Sequence, residues 1–317
     1  MHPFALFLIV VAAGVAMVHG HSAVNTPTAL FWEQTLPGSR MPDAIADLVR
    51  KGIDHSPLVE HHTAAISPRS SLSACALFDS TCSSQMVAET GIFFPMAQLR
   101  PGSTMTLSFP AEAEPAAILP HDVAEKAPFS NLDDVLSTFN IPSGSDEAAR
   151  VRDTLTSCEA PPLAGVVKSC STSLESTVQA ATQMLGISTT NNHGVMAAAA
   201  PEIPRTGLPR QPYVVQAVTQ LASDRYVSCH VMPFPYAVYL CHTTEKEPYG
   251  GFKVWLRGVG DEGPEVSLLA FCHMDTSRWN PAHPAFEVLH TRPGGSPVCH
   301  FTTYGSLAFV RKASTRA

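Results

Sequence analysis

Nowhere in this sequence do lysine and arginine gather into a long block, and the 20 of them are outnumbered by 27 aspartates and glutamates, for a formal net charge of -7. Such a surface offers no basic stripe to a phosphate backbone, so nucleic acid is excluded as an expected partner. Beyond the amino terminus no apolar run approaches the roughly 20 residues that cross a bilayer, and no membrane span is expected. Acceptor sites for asparagine-linked glycans are missing too: Asn25 is followed by Thr26-Pro27, which lacks the needed third residue. Between residues 21 and 90 no segment repeats. Charged residues make up only 15% of the chain while 45% is apolar, the balance of a globular protein that leans on covalent cross-links.

What is present begins with "MHPFALFLIVVAAGVAMVHGHSA", an apolar stretch from Pro3 to Val18 with small residues after it. It predicts a secretory signal peptide over residues 1–20, removed on export, and hence an oxidising destination for the eight cysteines. Residues 21–91 are rich in Pro, Ser, Thr and His and predict a variable, loosely ordered leader. Within it, Ile45, Leu48 and Val49 recur at helical spacing after Phe31, Trp32 and Leu36, the pattern of a short amphipathic helix that docks elsewhere. Cys75 and Cys82 in the leader predict a small disulfide loop, while His55, His61 and His62 are read as solvated.

Regular structure is expected from Ile92 onward. Met105, Leu107 and Phe109 alternate as in a half-buried strand. Three helical segments follow: one capped at Ser130 with Leu132, Val135, Leu136 and Phe139 on one face, one with Val151, Leu155 and Cys158, and one with Leu174, Val178, Ala181 and Leu185 before Gly186. Cys158 closes one helix and Cys170 precedes the next, so a bridge between them is expected to staple a helical hairpin. After a turn-rich, Ala-rich connector, "YVVQAV", "RYVSCH", "YAVYLCH", "FKVWLRGV", "EVSLLAFCH", "FEVLHT", "PVCHF" and "SLAFVRK" predict the strands of an antiparallel sheet.

Four of those cysteines stand directly before a histidine: Cys229-His230, Cys241-His242, Cys272-His273 and Cys299-His300. Successive strand side chains face opposite ways, so the dipeptides can build two layers, thiols that bridge on one side and imidazoles that converge on the other. The same geometry makes an adjacent Cys-His a poor nucleophile-base couple, and gaps of 10, 29 and 25 residues do not fit a zinc finger. From spacing alone, a metal site and local packing beside disulfides both remain open.

At these residues the chain resembles the plant BURP domain. The likeness rests on the four dipeptides in order, the Phe93-Phe94 pair, "RPGSTMTLSF", "LPHDVAEKAPFSNLDDVLSTF", "SCEAPPLAGVVKSCSTSLESTVQAATQMLG", "PYAVYLCHTT" and "CHMDTSRWNPAHPAFEVL", and it covers about residues 92–312. The middle gap is slightly long, and "GVGDEGPE" at 258–265 is the expected place for an inserted turn. The resemblance implies an α+β fold in which a helical segment precedes a disulfide-stapled antiparallel β-sheet carrying the dipeptides, with residues 313–317 as a tail. It also implies export to the apoplast or cell wall, roles in development or stress response, and a wall polymer or an extracellular protein or peptide as partner. One branch of the family consists of copper-dependent peptide cyclases that crosslink Trp or Tyr side chains. Carried across, copper would fall to His230, His242, His273 and His300, and Cys229, Cys241, Cys272 and Cys299 would pair as disulfides in an unspecified order. Without a repeated core peptide, self-modification is not expected; interaction in the matrix is the expected role, with oxidative crosslinking of a separate peptide as the competing one.

Overall fold

The computed structural model describes residues 26–54, 84–109, 116–162, 165–187, 194–199, 207–223, 225–244, 249–260 and 262–311. The signal segment, Cys75, Cys82, His55, His61 and His62 lie outside them.

Two helices open the described chain. In α1 (Pro27–Thr35), the Thr26 hydroxyl accepts the Ala29 N–H and proline occupies the first turn, where its missing N–H costs nothing. The next, α2 (Asp43–Asp54), buries Ile45, Leu48 and Val49, the stripe expected of it, and Gly52 one turn further on. One face of these helices is packed: Trp32 is 0% exposed, lies 6.5 Å from the Phe309 ring, and donates its indole N–H to the Ser39 carbonyl. The helix α3 (Ser84–Thr90) follows.

The remaining helices obey their caps. The residue that caps α5 (Leu132–Thr138) is Asn131 and not Ser130, because its side-chain oxygen accepts both Asp133 N–H and Asp134 N–H; the short α4 (His121–Ala124) precedes it. Ser145 caps α6 (Asp146–Glu159), and Ser173 forms a capping box with Ser176 at α7 (Leu174–Met184), which buries Leu174, Val178 and Ala181 and ends at Gly186 with φ +69°.

Eleven strands are described: β1 (Phe93–Pro95), β2 (Thr104–Phe109), β3 (Val166–Ser171), β4 (Val195–Ala199), β5 (Leu208–Gln220), β6 (Tyr226–Met232), β7 (Val238–Thr244), β8 (Tyr249–Gly258), β9 (Glu265–His273), β10 (Val298–Phe301) and β11 (Leu307–Arg311). They form two antiparallel sheets where the sequence suggested one. The first sheet has the order β1-β10-β9-β8-β5-β2 and the second β3-β7-β6-β11-β4. β8 ends at Gly258 and β9 begins at Glu265, the first and last residues of "GVGDEGPE".

Three further expectations need correction. Cys170 lies in β3, so its disulfide with Cys158 ties the end of α6 to an edge strand and staples no helical hairpin. "VMAAA" in the Ala-rich connector forms β4, since pairing with β11 from Val195 to Ala199 outweighs alanine's weak strand preference. "FEVLHT" supplies a helix, α8 (Pro284–Val288), because His283 accepts the Ala285 N–H and Pro284 sits at the first helical position.

The two sheets and the helices enclose distinct apolar layers. Cys229 and Cys241 lie in one with Trp32, Leu48, Leu174 and Val178. Cys272 and Cys299 lie in the largest, with Phe94, Leu107, Val254 and Phe301. Tyr226, Ala308 and Val310 of the second sheet meet Leu269 and Phe271 of the first in a third, smaller layer.

Candidate metal centre

Strand register decides which cysteines pair. In the second sheet Cys229 is directly opposite Cys241, and in the first Cys272 is directly opposite Cys299. Both pairs are disulfides, with Cα–Cα distances of 3.9 and 4.0 Å. Each histidine one residue on projects from the reverse face. His230 is opposite Leu240 and His242 opposite Ser228, while His273 is opposite Val298 and His300 opposite Phe271. The two histidines of each pair are therefore diagonal neighbours on one face, near enough for their rings to meet.

The two sheets turn those faces toward each other, and the four imidazoles close into a ring. Successive centroids are 5.4 Å apart for His230 and His242, 5.9 Å for His242 and His273, 5.5 Å for His273 and His300, and 5.4 Å for His300 and His230. All four are buried, His300 completely. The nitrogens of His230, His242 and His300 fall within 4.8 Å of one another, and Nε2 of His230 is 3.3 Å from Nε2 of His242.

Removal from water sets the charge state. Burial pushes the His242 imidazole down to about 3, helped by repulsion from His300. Burial also takes His300 down to about 4, partly opposed by its bond to the Phe301 carbonyl. His230 and His273 lie well below the ordinary value, mainly through burial and then through their histidine neighbours. The ring is thus neutral near pH 7, the form in which imidazole ligates metals. Nδ1 of His300 is 3.3 Å from the Phe301 carbonyl, which can only accept, so that nitrogen carries the proton and Nε2 presents a lone pair. The same Nε2 is buried and has no hydrogen-bond partner among the described residues.

His230, His242 and His300 fit a metal ion in donor type and approximately in spacing, whereas His273 joins the ring by its centroid distances but lies outside that group of nitrogens. Two nitrogens bound to one tetrahedral ion at about 2.0–2.1 Å stand about 3.3 Å apart, which is the separation of His230 and His242. The triad as a whole is more open, and gathering it into one coordination shell takes side-chain movement on the order of 1 Å.

Two neighbours escaped the sequence reading. His283, buried at the start of α8, packs at a tilt against Trp279 with ring centroids 4.7 Å apart and meets Phe93 edge-on at 5.5 Å. Trp279 is half-buried and lies 4.8 Å from His273. Neither belongs to a Cys-His dipeptide, and reading "FEVLHT" as a strand concealed the helix start that places His283. Pro284 directly after a histidine was the available signal. Lys168, opposite His242 in β3, donates to the Ser157 carbonyl at 2.6 Å.

Two antiparallel sheets, each stapled by a cross-strand disulfide and each lending two histidines to a shared interior ring, define an α+β protein with an all-imidazole centre. The BURP domain family model matches residues 92–311, and the chain belongs to the BURP domain family. It is 41% identical to BURP domain-containing protein 13 of Oryza sativa subsp. japonica over 235 residues, 72% of this chain and 55% of that protein. BURP domain-containing protein 5 of the same plant is 32% identical over 306 residues, 92% of this chain and 89% of that one. Protein RAFTIN 1A of Triticum aestivum is 39% identical over 230 residues, 71% of this chain and 57% of that protein. The chain therefore spans little more than half the length of the first and third of these relatives. No helix among the described residues is long and apolar enough to cross a membrane.

Proposed function

We propose that this BURP-domain protein is exported to the apoplast or cell wall and acts there in development or stress response, by binding a wall polymer or an extracellular protein or peptide, with copper held by His230, His242, His273 and His300. The observation that carries the metal part is the closed ring of four buried imidazoles contributed equally by two sheets. Copper is the ion of choice because nitrogen donors bind copper(II) more tightly than the other common divalent first-row metals. Export is supported by the apolar amino terminus and by three disulfides, bonds that persist in oxidising compartments.

When bound, copper would supply one-electron redox chemistry. The protein's part is to hold neutral lone pairs inward, keep bulk water out and tie the ligand strands together through the disulfides behind them. A second reading, oxidative crosslinking of Trp or Tyr side chains in a separate peptide, is favoured by the half-buried Trp279, which gives the ring one edge near solvent.

Metal analysis tests the centre. Metal-free protein offered copper(II) and zinc(II) together is expected to retain copper at about one ion per chain, and His230→Ala and His273→Ala to retain less. Equal retention by wild type and both variants would remove these histidines from the site. Mass spectrometry of candidate peptides incubated with the copper-loaded protein and dioxygen separates the two roles, since crosslinking removes two hydrogens, with dioxygen as the two-electron acceptor, and simple binding removes none.

A further inference from the structure

His283 approaches the ring from α8, outside the dipeptide framework, and its hydrogen bonding differs from that of the others. Its Nδ1 accepts the backbone N–H of Ala285 at 3.2 Å, so that nitrogen carries no proton and the ring N–H must lie on Nε2. This Nε2 is buried and has no hydrogen-bond partner among the described residues, and the residue is 5% exposed. Around it stand Phe93, whose ring is 5.5 Å from His283 and 6.3 Å from His300, and Trp279, at 4.7 Å from His283 and 4.8 Å from His273. The centre thus sets a committed N–H donor near His300, whose Nε2 offers a lone pair.

Charge balance says what that donor is for. The cluster of histidines able to hold a cation contains no carboxylate and no thiolate, so a copper ion there would keep its full positive charge in apolar surroundings. A buried uncompensated charge is strongly unfavourable, and so is a buried N–H without an acceptor. An anionic ligand would pair the donor and offset part of that charge.

We infer that His283 is the binding residue for a small anion at this centre, donating its Nε2–H to the anion beside Phe93 and Trp279, while the anion offsets part of the charge of the metal held by the histidine ring. The inference rests on the copper reading and adds to it a ligand class and a residue. His283 in this role ligates no metal; it fixes the anion's position.

Azide titration of the copper(II)-loaded full chain, followed by the azide-to-copper charge-transfer absorption, tests it with two variants. His283→Phe removes both the donor and the helix cap, whereas His283→Asn keeps a capping acceptor for Ala285 but is too short to bring a donor to the same place. Both are expected to bind wild-type amounts of copper and to lose azide affinity by about tenfold or more, the weight of one hydrogen bond to a charged group. In the metal-free protein, long-range 1H–15N spectra are expected to show His283 protonated on Nε2. Wild-type azide affinity in His283→Asn, or a His283 proton on Nδ1, overturns the inference while leaving the copper reading intact. Absence of copper uptake by the wild type overturns both.

Discussion

Acidification from pH 7 to pH 5 is expected to remove several kcal/mol from the stability of the metal-free protein, through histidines that the fold keeps unprotonated. Unfolded, each imidazole titrates at its ordinary value of 6.5; folded, burial holds His242 down to about 3 and His283 and His300 down to about 4. Between those limits the unfolded chain binds protons that the folded one refuses, so stability is fully present above pH 6.5 and drains away as pH falls toward 4. Each of the three loses about 2 kcal/mol of favourable folding free energy between pH 7 and 5, together about 6 kcal/mol. His230 and His273 are shifted the same way and add to the loss. Domains are commonly stable by about 5–15 kcal/mol, so this one should approach unfolding near pH 5. Urea titrations followed by circular dichroism at pH 7, 6 and 5, in the presence of a chelator, measure the effect. His242→Gln should flatten the pH dependence by about one third of the three-histidine total. A wild-type stability that changes by less than about 1 kcal/mol across this interval would mean that the imidazoles meet water in the folded state, and the dry ring would be wrong.

Other expectations follow from the cross-links, the helix contacts and the ring's neighbour. Chain entropy assigns the Cys272–Cys299 bridge about 3.5 kcal/mol and Cys229–Cys241 about 3 kcal/mol, from sequence separations of 27 and 12; denaturant melts of the paired Ala variants should rank them in that order, and equal costs near zero would argue against the bridges. Gly52→Ala would place a methyl 1.8 Å from the Ile118 carbonyl oxygen, where α2 meets the segment that donates from Ile118 N–H to Leu48. It should cost about 2 kcal/mol or more, and a neutral result in thermal melts would show that α2 sits elsewhere. With copper in the ring, Trp279 emission should be quenched because its indole lies 4.8 Å from His273. Trp279→Phe should therefore lose much of the copper-dependent quenching, and an unchanged loss would put the ion away from this ring.

Much of this architecture can be traced to local sequence. Period-two patterning in "EVSLLAFCH" marks β9 and sends Cys272 and His273 to opposite faces, because pleat geometry depends only on neighbouring residues. The stripes in α2, α6 and α7 announce those helices in the same way. Less legible were β4, whose alanines carry little strand preference and gain one from β11, and α8, whose apolar residues are too few to show a period.

By itself, then, the order of residues determined that thiols and imidazoles would separate across strands and that the chain would alternate helical and extended segments. Only the tertiary structure decided that the dipeptides divide between two sheets, that Cys229 meets Cys241 and Cys272 meets Cys299, and that His283 comes near the ring from the cap of a helix. Those outcomes depend on register and on sheet-to-sheet packing, which bring together residues as far apart as Phe93 and His300, and no local pattern encodes such distances.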